Sequence, residues 1–561
     1  MTQSEGTVAH ELAKKQRDIS VAEFFSKNRH LLGFDNPRKA LLTTIKEAVD
    51  NSLDACEEAK IMPEISVEVI EMAENRFRVI VEDNGPGIVK EQVPKIFAKL
   101  LYGSKFHRLK MSRGQQGIGI SASVMYGQLT TGRAARITTK IGAKYKAYYC
   151  ELQIDTGANK PNVVKESEVD WHRQQGTRIE IDLEAIYQKG SQSIDTYLKY
   201  TAIVNPHATI IYTNPKAEQI IFPRGTDKMP AEPQEIKPHP YGVEIGFLIK
   251  MLSDTEARTM QSFLVNEFSR VGSGTAKEIL QKAGVLVETK PEKISREQAE
   301  RIIKSISETK IMNPPTDCVV PIGAEQLEKG LKKEIKAEFY ATTTRPPAVY
   351  RGNPFIVEAG IAYGGDQEAD GPIRLLRYAN RVPLQYQQSA CAITQSIIQT
   401  NFRSYGLSQS KGALPVGPCT LVVHLGSVWV PFTSESKEAI AHYPEIVKEV
   451  KLALQECGRQ LASYVLKKQR LSNEMKKRSY IEKYIPYIGV ALQEILSLSP
   501  GQKDNLELEL KNLLEEKRGK LESIEADNSE YDEEIAKIKG GEEELYDEDK
   551  SDDEERGGED E

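Results

Sequence analysis

The pattern of apolar and polar positions predicts alternating helices and strands in the first part of the chain. Residues 41–59 repeat apolar side chains at the spacing of an amphipathic helix. The segments ISVEVIE (65–71) and FRVIVEDN (77–84) alternate apolar and polar residues and predict two adjacent strands. Similar segments continue to about Ile220, which indicates an α/β region.

Two Pro-rich segments predict boundaries within the chain. Pro and Gly cluster from Pro223 to Pro240, and IMNPPTD follows at 311–317. Between them the pattern predicts a compact helical stretch, at about 241–308. A third region, 318–426, predicts further strands, among them PFIVEAGIAY and CTLVVHLGSVWV.

A long helix is predicted to begin near Pro444. Apolar residues from Ile446 to Met475 keep one stripe, and some 35 residues at 1.5 Å each would make a rod of about 50 Å. We expect Pro486 to interrupt this helix, so that 484–496 forms a separate apolar helix. A charged helix is predicted after Pro500.

The charge of the chain is unevenly distributed. The net charge of −7 argues at first against a nucleic-acid partner. Residues 521–561, however, carry 20 acidic and 4 basic residues, a balance of −16. The remaining residues balance to +9, so a moderately basic body carries an acidic tail that we expect to be disordered.

Length and composition exclude several classes of protein. With 561 residues and 39% hydrophobic content, the chain predicts about three or four globular domains. Its six cysteines lie far apart without a CxxC pair, which argues against disulfides and zinc. Because no apolar run reaches the ~18 residues of a membrane span and no signal peptide is evident, we expect a cytoplasmic protein.

The helix at 41–59 carries the first candidate for chemistry. Glu47, Asn51 and Asp54 stand at i, i+4 and i+7, which places Asn51 about 40° to one side of Glu47 and Asp54 about 20° to the other around the helix. A carboxylate and a carboxamide so placed could activate a water molecule and bind Mg²⁺. Taken alone, the same pattern is also that of a solvated acidic helix edge.

Three glycine-containing segments supply the other candidates. Asp83, Gly85 and Gly87 follow a strand, where Asp83 can accept a hydrogen bond from an exocyclic amine, although D-N-G is also a common hairpin turn. A Gly-rich segment then precedes a helix, whose N-terminus can bind phosphates; it consists of Arg113, Gly114, Gln115, Gln116, Gly117, Ile118, Gly119 and Ile120. The last segment is the dipeptide Gly176-Thr177.

In this order the four segments resemble the GHKL superfamily of Bergerat-fold ATPases. The resemblance implies that ATP and Mg²⁺ are cofactors, with Glu47 as the general base and Asn51 as the Mg²⁺ ligand. Asp83 would bind the adenine amino group, with Gly85, Gly87 and Thr177 beside it. Gly114 to Gly119 would surround the phosphates, with Ser104 and Lys105 near the base of this segment, and Arg113 and Ile120 would also belong to the cofactor-binding residues. No P-loop motif is present.

The rest of the chain is similar to the B-subunit family of DNA topoisomerase VI, an archaeal type IIB enzyme. The resemblance rests on 20–59, 349–365, 376–393 and 421–446. It implies an α+β multidomain fold in which a Bergerat-fold ATPase domain, an α/β sandwich, is followed by a helix-two-turns-helix insert and an α/β transducer with a long C-terminal stalk helix. A transducer lysine would reach the γ-phosphate of ATP, and Lys437 in the sequence S-E-S-K is the matching residue.

The domains expected from the resemblance and the linkers have the following bounds. They are an N-terminal strap (1–20), the ATPase domain (21–228), the helical insert (229–308), the transducer (309–500), and a charged helix with the acidic tail (501–561). Within the transducer, the stalk helix would span about 444–482, and the apolar helix 484–496 would dock on a separate A subunit.

The partners follow from the same resemblance. The B subunit would dimerise when it binds ATP and would join A subunits in an A2B2 heterotetramer that passes one DNA duplex through another. No tyrosine of this chain stands in an evident DNA-cleaving setting, so cleavage would belong to the A subunit. Double-stranded DNA is an expected partner, and basic residues of the stalk are candidates for its phosphate contacts: Lys467, Lys468, Arg470, Lys476, Lys477 and Arg478.

Two other classes of function are kept as alternatives. A non-cutting ATP-dependent DNA clamp of the MutL type would share the ATPase segments, but the motifs between 360 and 450 argue against it. A chaperone-like ATPase would show no DNA stimulation of ATP turnover. A complete type IIA enzyme is disfavoured because no cleavage region follows in this sequence.

Overall fold

The computed structural model describes residues 12–13, 16–103, 108–114, 117–434 and 436–518. These residues form two compact units. The first takes in the described residues up to Ala362 together with Arg374–Ile397 and Thr420–Ala453, and the second takes in Tyr363–Ile373, Ile398–Cys419 and the described residues from Leu454 onward. Both helices and sheets are present, so the predicted α+β fold class is confirmed.

The first unit contains an eight-stranded mixed sheet. Its strands are β1 (Glu64–Ala73), β2 (Arg76–Asp83), β3 (Ala135–Lys140), β4 (Ala147–Asp155), β5 (Lys160–Val169), β6 (Gly176–Glu184), β7 (Thr209–Thr213) and β8 (Gln219–Phe222). They lie in the order β5-β4-β3-β6-β2-β1-β7-β8. β1 and β7 are parallel, whereas the other neighbours are antiparallel. The alternating apolar residues of β1 and β2 pair in the same register across the two strands.

Helices α1 to α5 accompany this sheet in the sequence. They are α1 (Val21–Lys27), α2 (Pro37–Glu58), α3 (Val93–Ala98), α4 (Gly119–Thr131) and α5 (Ile194–Val204). At the start of α2 the Asn36 side chain accepts the Lys39 N–H at 2.9 Å, and Pro37 occupies the first turn. The apolar stripe of α2 and the inner faces of β1, β2 and β6 share one core. Because the apolar stripe of α2 is used for packing, only side chains outside this stripe remain available for binding and catalysis.

A helical cluster with its own core follows residues 223–239, which form no helix or strand. Its helices are α6 (Ile245–Asp254), α7 (Met260–Glu267), α8 (Ser273–Ala283) and α9 (Arg296–Ser307). Capping boxes start α7 at Thr259 and α9 at Ser295. Leu248, Phe263 and Ile302 are fully buried in the cluster core, as the amphipathic pattern predicts.

A second sheet follows in the sequence, together with two helices. The elements are α10 (Ala324–Glu334), β9 (Phe339–Thr344), β10 (Ala348–Tyr350), β11 (Asn353–Tyr363), β12 (Arg374–Ala379), β13 (Val382–Pro383), α11 (Ala392–Gln399) and β14 (Cys419–Ser427). The strand order is β10-β11-β14-β12-β13, and β9 pairs with β11. Val204 at the end of α5 packs in one core with Leu331 and Tyr378, which ties the two sheets of the first unit together.

The long helix differs from the prediction at Pro486. Helix α12 (Pro444–Leu496) runs through this proline without interruption, so the predicted break and the separate helix at 484–496 were wrong. Proline removes one helical hydrogen bond, here to the carbonyl of Glu482. Both residues are exposed, so that water can hydrate this carbonyl and the helix can continue.

Helix α13 (Pro500–Arg518) lies against the last part of α12 within the second unit. A Cβ added at Gly489 would lie 2.5 Å from the Glu507 carboxylate, and Arg478 lies 4.0 Å from Glu515. Several apolar side chains of α12 nevertheless remain exposed, among them Tyr484, Tyr487, Ile488 and Ile495. None of the helices in the described part of the chain has the length and hydropathy that a bilayer crossing requires.

Candidate functional site

A cavity of about 350 Å³ lies within the first unit, between α2, the ends of β2 and β6, and the start of α4. Two further segments, around 383–386 and 436–438, complete its wall. Eleven of the predicted site residues line this cavity: Glu47, Asn51, Asp83, Gly87, Gly114, Gly117, Ile118, Gly119, Ile120, Thr177 and Lys437. Gly85 and Arg113 do not line it, and Ser104, Lys105, Gln115 and Gln116 lie outside the described residues.

Helix α2 places Glu47 and Asn51 one turn apart on the cavity wall. The Glu47 carboxylate lies directly against the first residue of α4, because a Cβ added at Gly119 would be 1.7 Å from Glu47 Oε2. Only glycine leaves space for the carboxylate at this point. An acidic oxygen is thereby held at the positive end of a helix, close to the first-turn N–H groups, which have no partner within the helix itself.

Asp83 is a buried acceptor at the end of β2. Its Oδ1 accepts the N–H groups of Gly85 at 2.9 Å and Thr177 at 3.1 Å, and its Oδ2 accepts the hydroxyl of Ser52 at 2.9 Å. Burial raises the pKa of Asp83, whereas these three donors lower it and offset part of that rise. Gly85 therefore contributes by orienting the carboxylate.

Close backbone packing explains two of the predicted glycines. Gly176 has a φ of +133°, and a Cβ there would lie 2.1 Å from the carbonyl oxygen of Asp83. Gly87 has a φ of +72°, and its Cβ would lie 2.2 Å from the carbonyl oxygen of Lys140. A larger residue at either position would be strained by both its backbone and its neighbours, and would displace the Asp83 turn.

Arg113 lies in a buried ion-pair cluster instead of on the cavity wall. Its guanidinium donates to both carboxylate oxygens of Glu57 at 2.6 and 2.8 Å and to Asp54 at 2.8 Å. It also donates to the Asn205 side chain at 2.5 Å, and His207 Nε2 lies 2.7 Å from Glu57. The cluster therefore joins α2 to the start of the Gly-rich segment.

The charges in this cluster stabilise one another. Burial lowers the pKa of Arg113, but Glu57 and Asp54 raise it well above its ordinary value. Burial raises the pKa of Glu57, but Arg113 and His207 hold it well below its ordinary range. Burial also lowers the pKa of His207, so the ring is neutral and its Nε2–H donates to the ionised Glu57.

Asp50 is buried one turn after Glu47. Tyr197 donates its hydroxyl to Asp50 Oδ1 at 3.0 Å. Desolvation raises the pKa of Asp50 to about 7, and the neighbouring Glu47 charge adds to this rise. Near neutral pH Asp50 is therefore partly protonated, which limits the negative charge beside Glu47.

Lys437 belongs to a hairpin that closes one side of the cavity. The N–H of Ala441 donates to Pro431 O at 2.8 Å, and the N–H of Thr433 donates to Ala439 O at 2.9 Å. Lys437 adopts a φ of +53°, and its N–H donates to Ser434 O at 3.1 Å. The tertiary fold thus brings this distant lysine to the cavity that Glu47 and Asn51 line.

Sequence reasoning did not identify several residues of this site. Ser52 follows Asn51 directly, and a hydroxyl next to that carboxamide was the available signal. Lys39, Gln385, Tyr386 and Glu438 also line the cavity; they lie within the segments that carry the family resemblance but were not predicted as site residues. In the described part of the chain no three His, Cys, Asp or Glu residues form a cluster that could hold a metal ion, and all six cysteines are buried and form no disulfide.

Comparisons with known proteins identify two regions. Residues 36–186 match the family model of histidine kinase-, DNA gyrase B- and HSP90-like ATPases. Residues 314–477 match the model of the topoisomerase VI B subunit transducer. The two matches include α2 with the Gly-rich segment and the Lys437 hairpin, respectively. The resemblance to GHKL ATPases is thereby confirmed.

Full-length relatives extend the match over most of the chain. It is 51% identical to the B subunit of type 2 DNA topoisomerase 6 from Methanococcoides burtonii over 490 residues, which cover 87% of this chain and 79% of the relative. The protein of the same name from Methanosarcina barkeri is 50% identical over 493 residues, covering 88% and 79%. That from Archaeoglobus fulgidus is 44% identical over 525 residues, covering 92% and 87%. With an ATPase region, a transducer region and this extent of identity, the chain belongs to the B-subunit family of type 2 DNA topoisomerase 6.

Proposed function

We propose that this protein binds and hydrolyses ATP as the B subunit of a type IIB topoisomerase. The cavity would hold the adenine at Asp83, whose buried carboxylate is fixed by Gly85, Thr177 and Ser52. A carboxylate oriented in this way accepts a hydrogen bond from the exocyclic amine of adenine. Guanine presents a carbonyl oxygen at the same position, which an ionised carboxylate would repel.

The phosphates would lie at the start of α4. Gly114, Gly117 and Gly119 line the cavity, where their backbone N–H groups would donate to the phosphates, and the positive end of the helix favours anions. Lys437 lines the cavity from the side of the second sheet and would contact the γ-phosphate. The presence of the Lys437 hairpin and Glu47 on one cavity is the observation that carries this proposal.

Glu47 would act as the general base for hydrolysis. Its carboxylate lies against the N-terminus of α4, where it can orient a water molecule toward a bound γ-phosphate. Asn51, one turn further along α2, presents a neutral oxygen ligand to the same cavity. Mg²⁺ commonly binds through one or two protein oxygens together with substrate phosphates, so Asn51 fits as its protein ligand. The metal would supply charge neutralisation at the phosphates.

The domain assignment belongs to the same proposal. The first sheet and α1 to α5 would form the ATPase domain (21–228), and the helical cluster would form the insert (229–308). The second sheet and α12 would form the transducer (309–500). Residues 1–20 would form the strap, and only part of this segment is among the described residues. The acidic tail at 521–561 lies outside them.

ATP turnover would operate a gate for DNA. Lys437 would connect the transducer to the γ-phosphate while ATP is bound, and loss of that phosphate would release the connection. Two B subunits would close around a duplex when they bind ATP, and the A subunits would cut and reseal a second duplex. The exposed apolar residues near the end of α12 would dock the A subunit, as the resemblance implies.

The decisive test is ATP- and Mg²⁺-dependent decatenation by the purified chain, alone and with its A subunit. We expect activity only when both subunits are present. Glu47→Gln should keep ATP binding but lower the turnover number at least about 100-fold, because a positioned general base contributes 10²–10⁴-fold. Glu71→Gln, an exposed glutamate of β1, serves as the matched control.

Two results would contradict the proposal. Normal hydrolysis by Glu47→Gln would remove the general-base assignment. ATP turnover that is stimulated by DNA but produces no strand passage with an A subunit would instead favour a MutL-type clamp.

A further inference from the structure

A buried ion pair joins the start of α2 to the Lys437 hairpin. Lys39 Nζ contacts the carboxylate of Glu438, the residue that follows Lys437. The side chains of Lys39 and Glu438 are only 14% and 7% exposed. Both belong to the first unit, and both line the cavity that contains Glu47. An ion pair with so little exposure is screened less by salt than a surface pair.

The surroundings of Lys39 keep it charged. Burial lowers the pKa of Lys39, but Glu438 and Asp35 together raise it above its ordinary value. Its Nζ also lies 3.2 Å from Asp35 and 5.3 Å from the centre of the Tyr386 ring. Asp35 is 41% exposed and lies outside the hairpin. Lys39 thus has one partner on the hairpin and one on the segment before its own helix.

The hairpin is anchored at its base, where the N–H of Ala392 at the start of α11 donates to Ile440 O at 2.9 Å. Its hydrogen bonds from Thr433 to Ala439 and from Ala441 to Pro431 hold the two arms together. The φ of +53° at Lys437 is uncommon for a side-chain-bearing residue and requires support from its surroundings. These contacts set the shape of the hairpin, whereas the Glu438 side chain connects it to α2.

Helix α2 also carries Glu47 and Asn51. Lys39 precedes Glu47 by eight residues, a rise of about 12 Å along the helix. A well-packed helix transmits the position of one end to the other, because its core face is close-packed against the sheet. The ion pair therefore fixes the position of the hairpin relative to α2, the rigid helix that also carries the proposed base and metal ligand.

We propose that Lys39 and Glu438 are a positioning pair that seats Lys437 at the γ-phosphate end of the cavity. This inference rests on the proposed function, since it assumes that Lys437 contacts the γ-phosphate. Glu438 acts through its neighbour Lys437. Lys39 holds the Glu438 carboxylate, and this contact directs the Lys437 side chain. Loss of the pair leaves the hairpin folded but allows its tip to move relative to α2.

The consequence is specific for nucleoside triphosphates. ADP lacks the γ-phosphate, so a displaced Lys437 leaves its binding unchanged. Binding of a non-hydrolysable ATP analogue, and B-subunit dimerisation driven by it, depend on that contact. The ratio of the two affinities therefore reports the position of Lys437, which a general loss of stability would not change selectively.

Two properties of the full chain are measured. They are its affinities for ADP and AMP-PNP, and its dimerisation when AMP-PNP binds. We expect Lys437→Met, Glu438→Gln and Lys39→Met each to lower the preference for AMP-PNP over ADP by about tenfold, within the usual range of coupling between two sites. The double variant Lys39→Met/Glu438→Gln should be no worse than either single variant, since the pair acts as a unit.

Two conservative variants serve as controls. Lys39→Arg keeps the charge and should retain the preference for AMP-PNP over ADP. Asp35→Asn removes only the partner of Lys39 that lies outside the hairpin, and as a control it should retain this preference too. Glu438→Gln is misfolded if it fails to bind ADP. In that case Lys39→Met, which leaves the hairpin sequence intact, tests the proposal.

The proposal is overturned if both pair variants keep the wild-type preference while Lys437→Met loses it, or if Lys437→Met itself keeps it. A failure of the proposed function is a different observation, because the wild-type chain would then bind neither nucleotide. Additive losses in the double variant would also overturn it, since Lys39 and Glu438 would then act separately.

Discussion

Arg113, at the start of the Gly-rich segment, and Glu57 form a bidentate ion pair with N–O distances of 2.6 and 2.8 Å. The Arg113 side chain is 3% exposed, and Asp54 shares its guanidinium. Arg113→Met would leave the buried Asp54 and the largely buried Glu57 without this guanidinium. We expect the free energy of unfolding to fall by about 3–5 kcal/mol, the usual cost of breaking a buried ion pair.

Urea denaturation of the wild-type and variant proteins measures this loss. Arg133→Gln is the matched control, because Arg133 is half exposed and its partner Asp182 retains Arg78 and Arg136. Equal stability of the two variants would show that the Arg113 cluster contributes no more than a surface pair.

Gly119→Ala should separate nucleotide binding from hydrolysis. The added methyl group would lie 1.7 Å from Glu47 Oε2, so the carboxylate must move away from the start of α4. A displacement of about 1 Å at a reacting group can lower the rate about 100-fold. We therefore expect a turnover number about 100-fold lower, as measured by steady-state ATP hydrolysis.

The control for this variant is Gly274→Ala in α8, where an added Cβ meets nothing within 4 Å. That substitution should leave hydrolysis unchanged and stabilise the helix slightly. Wild-type turnover in Gly119→Ala would be incompatible with Glu47 as the base in this position.

Asp83→Asn should remove base selectivity from the cavity. The wild-type protein is expected to prefer ADP to inosine diphosphate, whose base has a carbonyl oxygen in place of the amino group. A hydrogen bond to a charged acceptor contributes about 1.5–3 kcal/mol, which corresponds to roughly tenfold or more in affinity. Isothermal titration of both nucleotides measures the preference.

Ser52→Ala removes one donor to Asp83 but keeps the carboxylate, and should retain most of the preference. If Asp83→Asn discriminates between the two nucleotides as well as the wild type does, the base is recognised elsewhere in the cavity.

Buried histidines predict a loss of stability in acid. Burial lowers the pKa of His424, whose Nε2 accepts the Arg381 N–H at 3.0 Å, so that Nδ1–H donates to Glu358 at 2.8 Å. His207 is likewise neutral. Because the unfolded chain binds protons at a higher pH than these buried rings do, their contribution to stability is full above about pH 6.5 and falls as the pH drops below it. Asp50, whose pKa is raised to about 7, contributes in the opposite sense over the same range.

Urea denaturation at pH 7.5 and pH 5.5 tests this sign. Because Asp50 has the opposite effect in this range, the comparison is made in an Asp50→Asn background, where we expect a lower midpoint at pH 5.5. Adding His172→Gln, an exposed position, should leave this decrease unchanged. In the Asp50→Asn background, a midpoint that rises on acidification would contradict the lowered pKa of these two rings.

The stalk gives a prediction about DNA binding. Lys467, Lys468 and Arg470 are exposed on α12. Replacing all three with Gln should weaken DNA binding and reduce the salt dependence, by up to about 0.9 in the log–log slope for each DNA phosphate that is no longer neutralised. Filter binding over a range of salt concentrations measures the slope.

Neutralising Lys329 and Lys332, exposed on α10, provides the control for a general loss of charge. An unchanged slope in the stalk variant would place the DNA interface on another surface.

Local sequence patterns were sufficient to predict several helices, strands and site residues of this protein. The 3.6-residue period places Glu47 and Asn51 on one face of α2, and alternation fixes β1 and β2 in register. The Gly-rich segment leads into α4 at Gly119 as predicted. At Pro486 the local rule failed, because the exposed helix accommodates the proline.

Only the tertiary structure decided how distant segments meet. Glu438 and Lys39 lie about 400 residues apart in the chain, and no local pattern predicts that they pair, yet folding brings them together beside the cavity. Arg113 was predicted only as a cofactor-binding residue, and the structure pairs it with Glu57 and Asp54, since a buried cation requires anions beside it. Sequence periodicity and motifs determined the elements and their chemistry, whereas packing between elements, which no local pattern encodes, determined which charges became partners.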